Sequence, residues 1–152
     1  MARFFRRGVS AVKFVPACAG TSPTRAEINA GTDLSAQVAG IGGFALNNSP
    51  IATPDLATAF DSQIDGPDTT DNSTLNFYDD NAAATIRTAL AKGTAGFVLL
   101  FPYGDVPTKR VEKWPAKSTG VNDQWGLDAT AAQFQVGFAV TAVPAQNGVT
   151  PA

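Results

Sequence analysis

Between Ala95 and Tyr103 the chain reads AGFVLLFPY, apolar on both faces of an extended segment. A strand of that kind has no side to show to water, so it belongs at the centre of a sheet covered above and below. Directly before it lies the one segment with a clear helical pattern. Asp79 or Asp80 can cap the first exposed amides, Ala82, Ala83 and Ala84 are strong helix formers, and Gly93 supplies a left-handed stop after Lys92. Ala83, Ile86 and Leu90 form a narrow apolar stripe, and Arg87 and Lys92 fall where the helix dipole favours cations. The spacing predicts one helix over about 80–92, lying across the sheet that holds the apolar strand.

The remaining segments read as short strands and turns. VSAVKFVPAC (Val9–Cys18) alternates and ends near Pro16, which favours an edge position. TSPTRAEINAGTDLS is a turn or short helix with Gly31 as its stop. QVAGIGGFAL (Gln37–Leu46) is a strand whose three glycines point to curvature, a bulge or close backbone approach. NNSPIATPD (Asn47–Asp55) is a loop, oddly apolar for a surface segment. AFDSQID and STLNFY are two strands expected to form a hairpin through GPDTTDN. On it Phe60, Ile64, Leu75 and Phe77 point one way and Asp61, Gln63, Asp65, Thr74 and Asn76 the other, leaving one fully polar face. TKRVEKWPAKST reads as a charged edge strand because of Pro115, and GVNDQWGLDAT as a polar loop. Phe134, Val136, Phe138 and Val140 mark the cleanest alternating strand, and residues 144–152 read as a tail. Seven or eight such strands imply a mainly β chain, an antiparallel β-sandwich or small barrel with one flanking helix. With 152 residues and 44% hydrophobic content it fits one domain with a real core.

Charge is unevenly placed. Arg3, Arg6, Arg7, Lys13 and Arg25 make the first 25 residues purely basic, whereas ten acids between Glu27 and Asp105 face only Arg87 and Lys92. MARFFRRGVS has the charges of a secretory signal but no apolar run of the required length, and no stretch approaches the roughly 20 apolar residues of a membrane helix. Cys18 is alone, and its default role is that of a small buried hydrophobe. The chain has no histidine, which removes Ser-His-Asp and Cys-His catalysis, most zinc sites and the commonest general base at neutral pH. Asp55, Asp61, Asp65, Asp68, Asp71, Asp79 and Asp80 match no calcium loop, and turn or cap duties account for them. No cofactor or metal site is expected. Trp114, Trp125, Tyr78 and Tyr103 are the candidates for a ligand-stacking platform on a monomeric binding module.

Five blocks, PTRAEINAGTDLS (Pro23–Ser35), IATPDLATAFDSQIDG (Ile51–Gly66), STLNFYDD (Ser73–Asp80), GTAGFVLL (Gly93–Leu100) and FQVGFAVTAVPAQN (Phe134–Asn147), resemble in order and spacing the major tail proteins, or tail tube proteins, of siphophages, especially those of actinobacterial hosts. The resemblance implies a β-sandwich with a flanking helix, hexameric rings of identical subunits, and rings stacked into a tube that conducts double-stranded DNA from capsid to host. It implies a tape measure protein and a tail terminator as partners, a place in the virion tail after synthesis in the host cytoplasm, no membrane insertion and no enzymatic activity. Asp61, Gln63, Asp65, Thr74 and Asn76 are then expected to face the lumen, where a basic wall would hold the polyanion back. A loop over about 47–58, with Pro50, Ile51, Pro54 and Leu56, and a basic arm over about 1–8, with Arg3, Arg6 and Arg7, are expected to meet the adjacent ring. The competing readings are a terminator or connector ring of related fold and the monomeric binding module.

Overall fold

The doubly apolar run becomes β9 (Ala95–Phe101) in the computed structural model, which describes residues 1–152. It pairs on one side with β1 (Ala11–Val15) and on the other with β10 (Arg110–Gln124). Beyond β1 lies the two-residue β2 (Thr32–Asp33); beyond β10 come β11 (Gln133–Val140), β8 (Ser73–Tyr78) and β3 (Val38–Gly42). A further strand, β12 (Ala145–Val149), lies beside the first half of β10. Every pairing is antiparallel, and the chain is mainly β.

This sheet cannot be flat. Laid out, β2 and β3 would sit about 29 Å apart, six strand spacings. Only residues 34–37 join them, and that link reaches at most about 18 Å. The sheet therefore curls until its two ends approach each other, and its concave side closes around the main core. Val12, Phe14, Leu75, Phe77, Val98, Trp114, Phe134, Val136 and Phe138 meet there, drawn from five strands. The convex side of β9 is covered separately: Leu99 and Phe101 pack with Val15, Cys18, Val111 and Ile28. Ile28 belongs to α1 (Arg25–Ala30), whose capping box joins the Thr24 side chain to the Glu27 amide and the Glu27 carboxylate to the Thr24 amide. Alternate residues of β9 thus enter two different cores, as an apolar run on both faces requires.

Several sequence expectations are corrected. The helix over 80–92 shrinks to α2 (Thr85–Ala89). Asp80 spends its carboxylate on a tight turn to the Ala82 amide, and Ala84 takes up the N-cap position with no side-chain cap. Ile86 and Leu90 are buried as the stripe predicts, but Ala83 is exposed. The helix is fastened to β10 and β11 rather than laid along β9: Ser118 Oγ donates to the Leu90 carbonyl, and the Arg87 guanidinium lies over the Phe134 ring while pairing with Asp79 and Asp123.

The segment with Pro115 is not an edge. It lies in β10, the longest strand, at the centre of the sheet. Proline is tolerated because β10 changes partners there, with β12 opposite Arg110–Lys113 and β11 opposite Ala116 onward. The Pro115 carbonyl accepts from Thr141 on that side, so the missing N–H falls in the gap between partners. Residues 120–124, expected as loop, continue β10. The expected tail at 144–152 is mostly strand β12, and Arg25 also donates to the carbonyls of Pro151 and Ala152.

Candidate assembly surfaces

The chain leaves the sheet after β3 at Gly43 and Phe44, both with positive φ. A side chain at Gly43 would lie 2.6 Å from the Ser73 Cα, so only glycine permits this exit. Phe44 is buried against Trp114 and Phe138, and its amide donates to Ser73 Oγ, which anchors the bend to the body. From there the chain runs out and back as a ribbon. β4 (Leu46–Asn48) pairs with β7 (Asp68–Thr70), and β5 (Ile51–Thr53) pairs with β6 (Ser62–Ile64). The outgoing strand advances three residues between the two ladders and the return strand four, so Gly66 and Pro67 form a bulge opposite Ser49, whose amide donates to the Pro67 carbonyl. Asn48 bridges it by donating to the Gly66 carbonyl and accepting from the Gly66 amide. The ribbon is roughly 25 Å long.

Two expectations change here. The segment read as a loop, residues 47–55, supplies the outgoing strands of this arm. The hairpin of AFDSQID with STLNFY does not form: β6 pairs with β5, and β8 lies between β11 and β3 in the body. Asp61, Gln63 and Asp65 therefore share no face with Thr74 and Asn76. Strand neighbours in sequence usually pair, but Ile51 opposite Ile64 makes the closer apolar match.

No residue between Leu46 and Asn72 is buried. Ile51 and Ile64 stand opposite each other half-exposed, while Leu56 and Phe60 at the tip are open to solvent. The tip is nonetheless ordered by local bonds: the Asp55 carboxylate accepts from the amides of Ala57 and Thr58, and Thr58 Oγ1 bonds the Phe60 carbonyl. Asp68 and Asp71 accept from Asn48 and Asn47, Asp79 from Arg87, and Asp80 from Ala82. Of the seven aspartates, only Asp61 and Asp65 have carboxylates with no partner in the chain.

A second surface is the convex face of β3, β8, β11 and the far half of β10. Register places Gly40 and Gly42 beside Asn76 and Thr74, these beside Gln135 and Gly137, and these in turn beside Asn122 and Gly120. These positions are uncharged, built of amides, a hydroxyl and glycines, with Lys117 beside them opposite Ala139, and the Asn76 Oδ1 atom has no protein donor.

The third surface is a cleft of about 880 Å³ where the ends of the curled sheet approach. Ala11 and Val12 of β1, Val38 and Ile41 of β3, and Leu100 of β9 form apolar walls, and Arg6 and Arg7 line it from the N-terminal segment. Residues 1–9 are exposed without regular structure, apart from a turn closed by the Val9 and Ser10 amides on the Arg6 carbonyl and a Phe4 ring against Tyr103 at 5.2 Å. Arg3, Arg6 and Arg7 have no side-chain partner.

The other cations are occupied nearby. Lys13 Nζ and Arg25 Nη1 both reach Asp105, at 3.0 and 2.8 Å. Burial pushes the Asp105 carboxyl up, but the bonds from Arg25 and Lys13 outweigh it and hold the group below its ordinary value. Burial raises the Cys18 thiol, as a small core hydrophobe requires. The aromatic platform does not exist: Trp114 is fully buried with Nε1 on Glu112, Trp125 is exposed beyond the end of β10, and Tyr103 lies against Phe4.

A family model described as "Phage tail tube protein" matches residues 1–152. No curated protein sequence matches the chain. Among solved structures the fold is similar to a chain of "Cryo-EM structure of the anti-feeding prophage (AFP) baseplate, 6-fold symmetrised", with 11% identity, a TM-score of 0.55 and 93% of both chains covered. The crystal structure of Hcp1 from Salmonella typhimurium is a looser match, with 12% identity over 87% of this chain and 82% of that one and a TM-score of 0.43. Matched along its whole length, the chain belongs to the phage tail tube protein family.

Proposed function

We propose that this subunit closes into hexameric rings that stack into a hollow tube, and that the tube conducts double-stranded DNA out of the capsid. The observation that carries this reading is an ordered arm exposing Ile51, Leu56, Phe60 and Ile64 on a chain of this family, because such side chains gain free energy only when a neighbour covers them. The arm, with Pro50, Ile51, Pro54 and Leu56, and the N-terminal segment, with Arg3, Arg6 and Arg7, make the contact between rings. Two contacts on different parts of one surface, one closing around the ring and one open along the axis, are what a tube needs.

The face with Thr74 and Asn76 lines the lumen in this proposal, since its amides and glycines offer phosphates neither a counter-ion nor a repulsive wall. Asp61, Gln63 and Asp65 go with the arm instead, because β6 is paired into it. The chain acts as a structural part with no bond to make or break, in the virion tail, around a tape measure protein and ending at a terminator. The sixfold count follows the tail proteins that the sequence resembles. Electron microscopy of the purified full-length protein tests the reading: hollow tubes with six subunits in end-on averages are expected. A species that stays monomeric by light scattering up to millimolar concentration, with no tubes in micrographs, would overturn it.

A further inference from the structure

We infer that the arm of one copy docks in the cleft between β1 and β3 of another, with Asp61 and Asp65 of the arm meeting Arg6 and Arg7 of the cleft; this names the two halves of the contact and rests on the tube reading above. The cleft has apolar walls from Ala11, Val38, Ile41 and Leu100, and the arm ends in Leu56 and Phe60, which have no cover in their own chain. The charges agree with the shapes. Between Leu46 and Asn72 there are five aspartates and no cation, and local bonds occupy three of them. The two left free, Asp61 and Asp65, bracket β6 on the arm. The free guanidiniums of Arg6 and Arg7 line the cleft, where the carboxylate of Glu112 is already engaged by Arg110 and Trp114. Opposite free charges on two separate surfaces of one chain fit a second copy of that chain and set the register of the contact. Donor and acceptor are different patches, so the contact repeats from copy to copy without closing on a pair.

The test uses charge reversal in the full-length protein, read by sedimentation and electron microscopy, with circular dichroism confirming the fold. Arg6→Glu with Arg7→Glu should reduce the polymerised fraction at least about tenfold, and Asp61→Arg with Asp65→Arg should do the same. Mixed in equal amounts, the two proteins should polymerise again, because each arm then finds a cleft of opposite sign. Lys92→Glu with Lys109→Glu, equal in charge change but away from the cleft, should leave tubes intact. If the reversals have no effect, if the mixture stays dispersed, or if the Lys92 and Lys109 control is equally disabling, the pairing is wrong although the tube stands. If the wild-type protein forms no tubes at all, the tube reading falls and the pairing with it. Should a reversal unfold the chain, Arg6→Gln with Arg7→Gln gives the same decision: it should flatten the loss of wild-type polymerisation with added salt, and an unchanged salt slope overturns the pairing.

Discussion

The curled sheet and the arm are made of similar residues under opposite physical regimes. In the sheet, Trp114, Phe77, Phe134, Leu75 and Val98 are all fully or almost fully buried, and long-range strand pairs fix their positions. In the arm nothing is buried, and order comes from short side-chain bonds such as Asp55 to Ala57, Asn48 to Gly66 and Thr53 to Ser62. A two-stranded ribbon is marginal on its own in water. Its persistence as an ordered element depends on turn chemistry at the tip, the bridged bulge, and the Phe44 anchor at the base. The body can therefore be judged by its own stability, whereas the arm, on the proposed reading, is completed by a neighbouring copy.

Substitutions should separate the two regimes. The largest effect is expected from Trp114→Ala, which opens a cavity in the main core and should lower unfolding free energy by about 3 to 5 kcal/mol in urea titration. A loss below about 1 kcal/mol would mean that the sheet is not closed around this ring. A smaller effect belongs to the Asp105 cluster. Asp105→Asn removes the charge that Lys13 and Arg25 share and should cost about 1.5 to 3 kcal/mol near neutral pH. Because the folded-state carboxyl titrates below its ordinary value, its contribution is complete above the unfolded value of about 3.9 and is lost as pH falls through the folded one. Wild type and variant should thus converge in acid; a constant difference from pH 7 to pH 2 would show that the charge is not what stabilises. The smallest effect on folding is expected in the arm. Ile51→Asp with Leu56→Asp should change subunit stability by no more than about 0.5 kcal/mol while abolishing polymerisation in sedimentation. Loss of the fold would place these side chains in a core, and unchanged polymerisation would remove the arm from the contact.

Much of the body was legible because its signals are local. The double apolar run gave β9, the alternation of Phe134, Val136 and Phe138 gave β11, and Gly31 marked the end of the short helix α1. What stayed hidden depends on partners distant in sequence. Pro115 reads as an edge marker until the exchange of β12 for β11 opposite it is seen. Nothing in QNGVT announces a strand, because it borrows its order from Arg110 and Val111. Asp80 and three alanines look like a helix start, yet the aspartate closes a turn two residues on. Pro50, Ile51, Pro54 and Leu56 share one ribbon, as their place in one segment suggests, but the pairing of β6 with β5 was invisible, and with it the place of Asp61, Gln63 and Asp65. The cleft beside Arg6 and Arg7 could not be read at all, since it exists only after β1 and β3 are brought together by the curl.

The way the strands are paired also sets an order of events during synthesis. Leu46 needs only Thr70 to close its ladder, and Ile51 only Ile64, so the arm has all its partners once residue 70 has emerged. Lys13 must wait for Leu99, and β10 for β12 near the last residue. Pairings this distant in sequence are slow to form. The cleft is bounded by β1 and β9, so it appears only after most of the chain is made. A nascent subunit on this scheme can offer an arm long before it can receive one. If arm and cleft pair as inferred above, only a copy whose body is already complete can receive the arm of another.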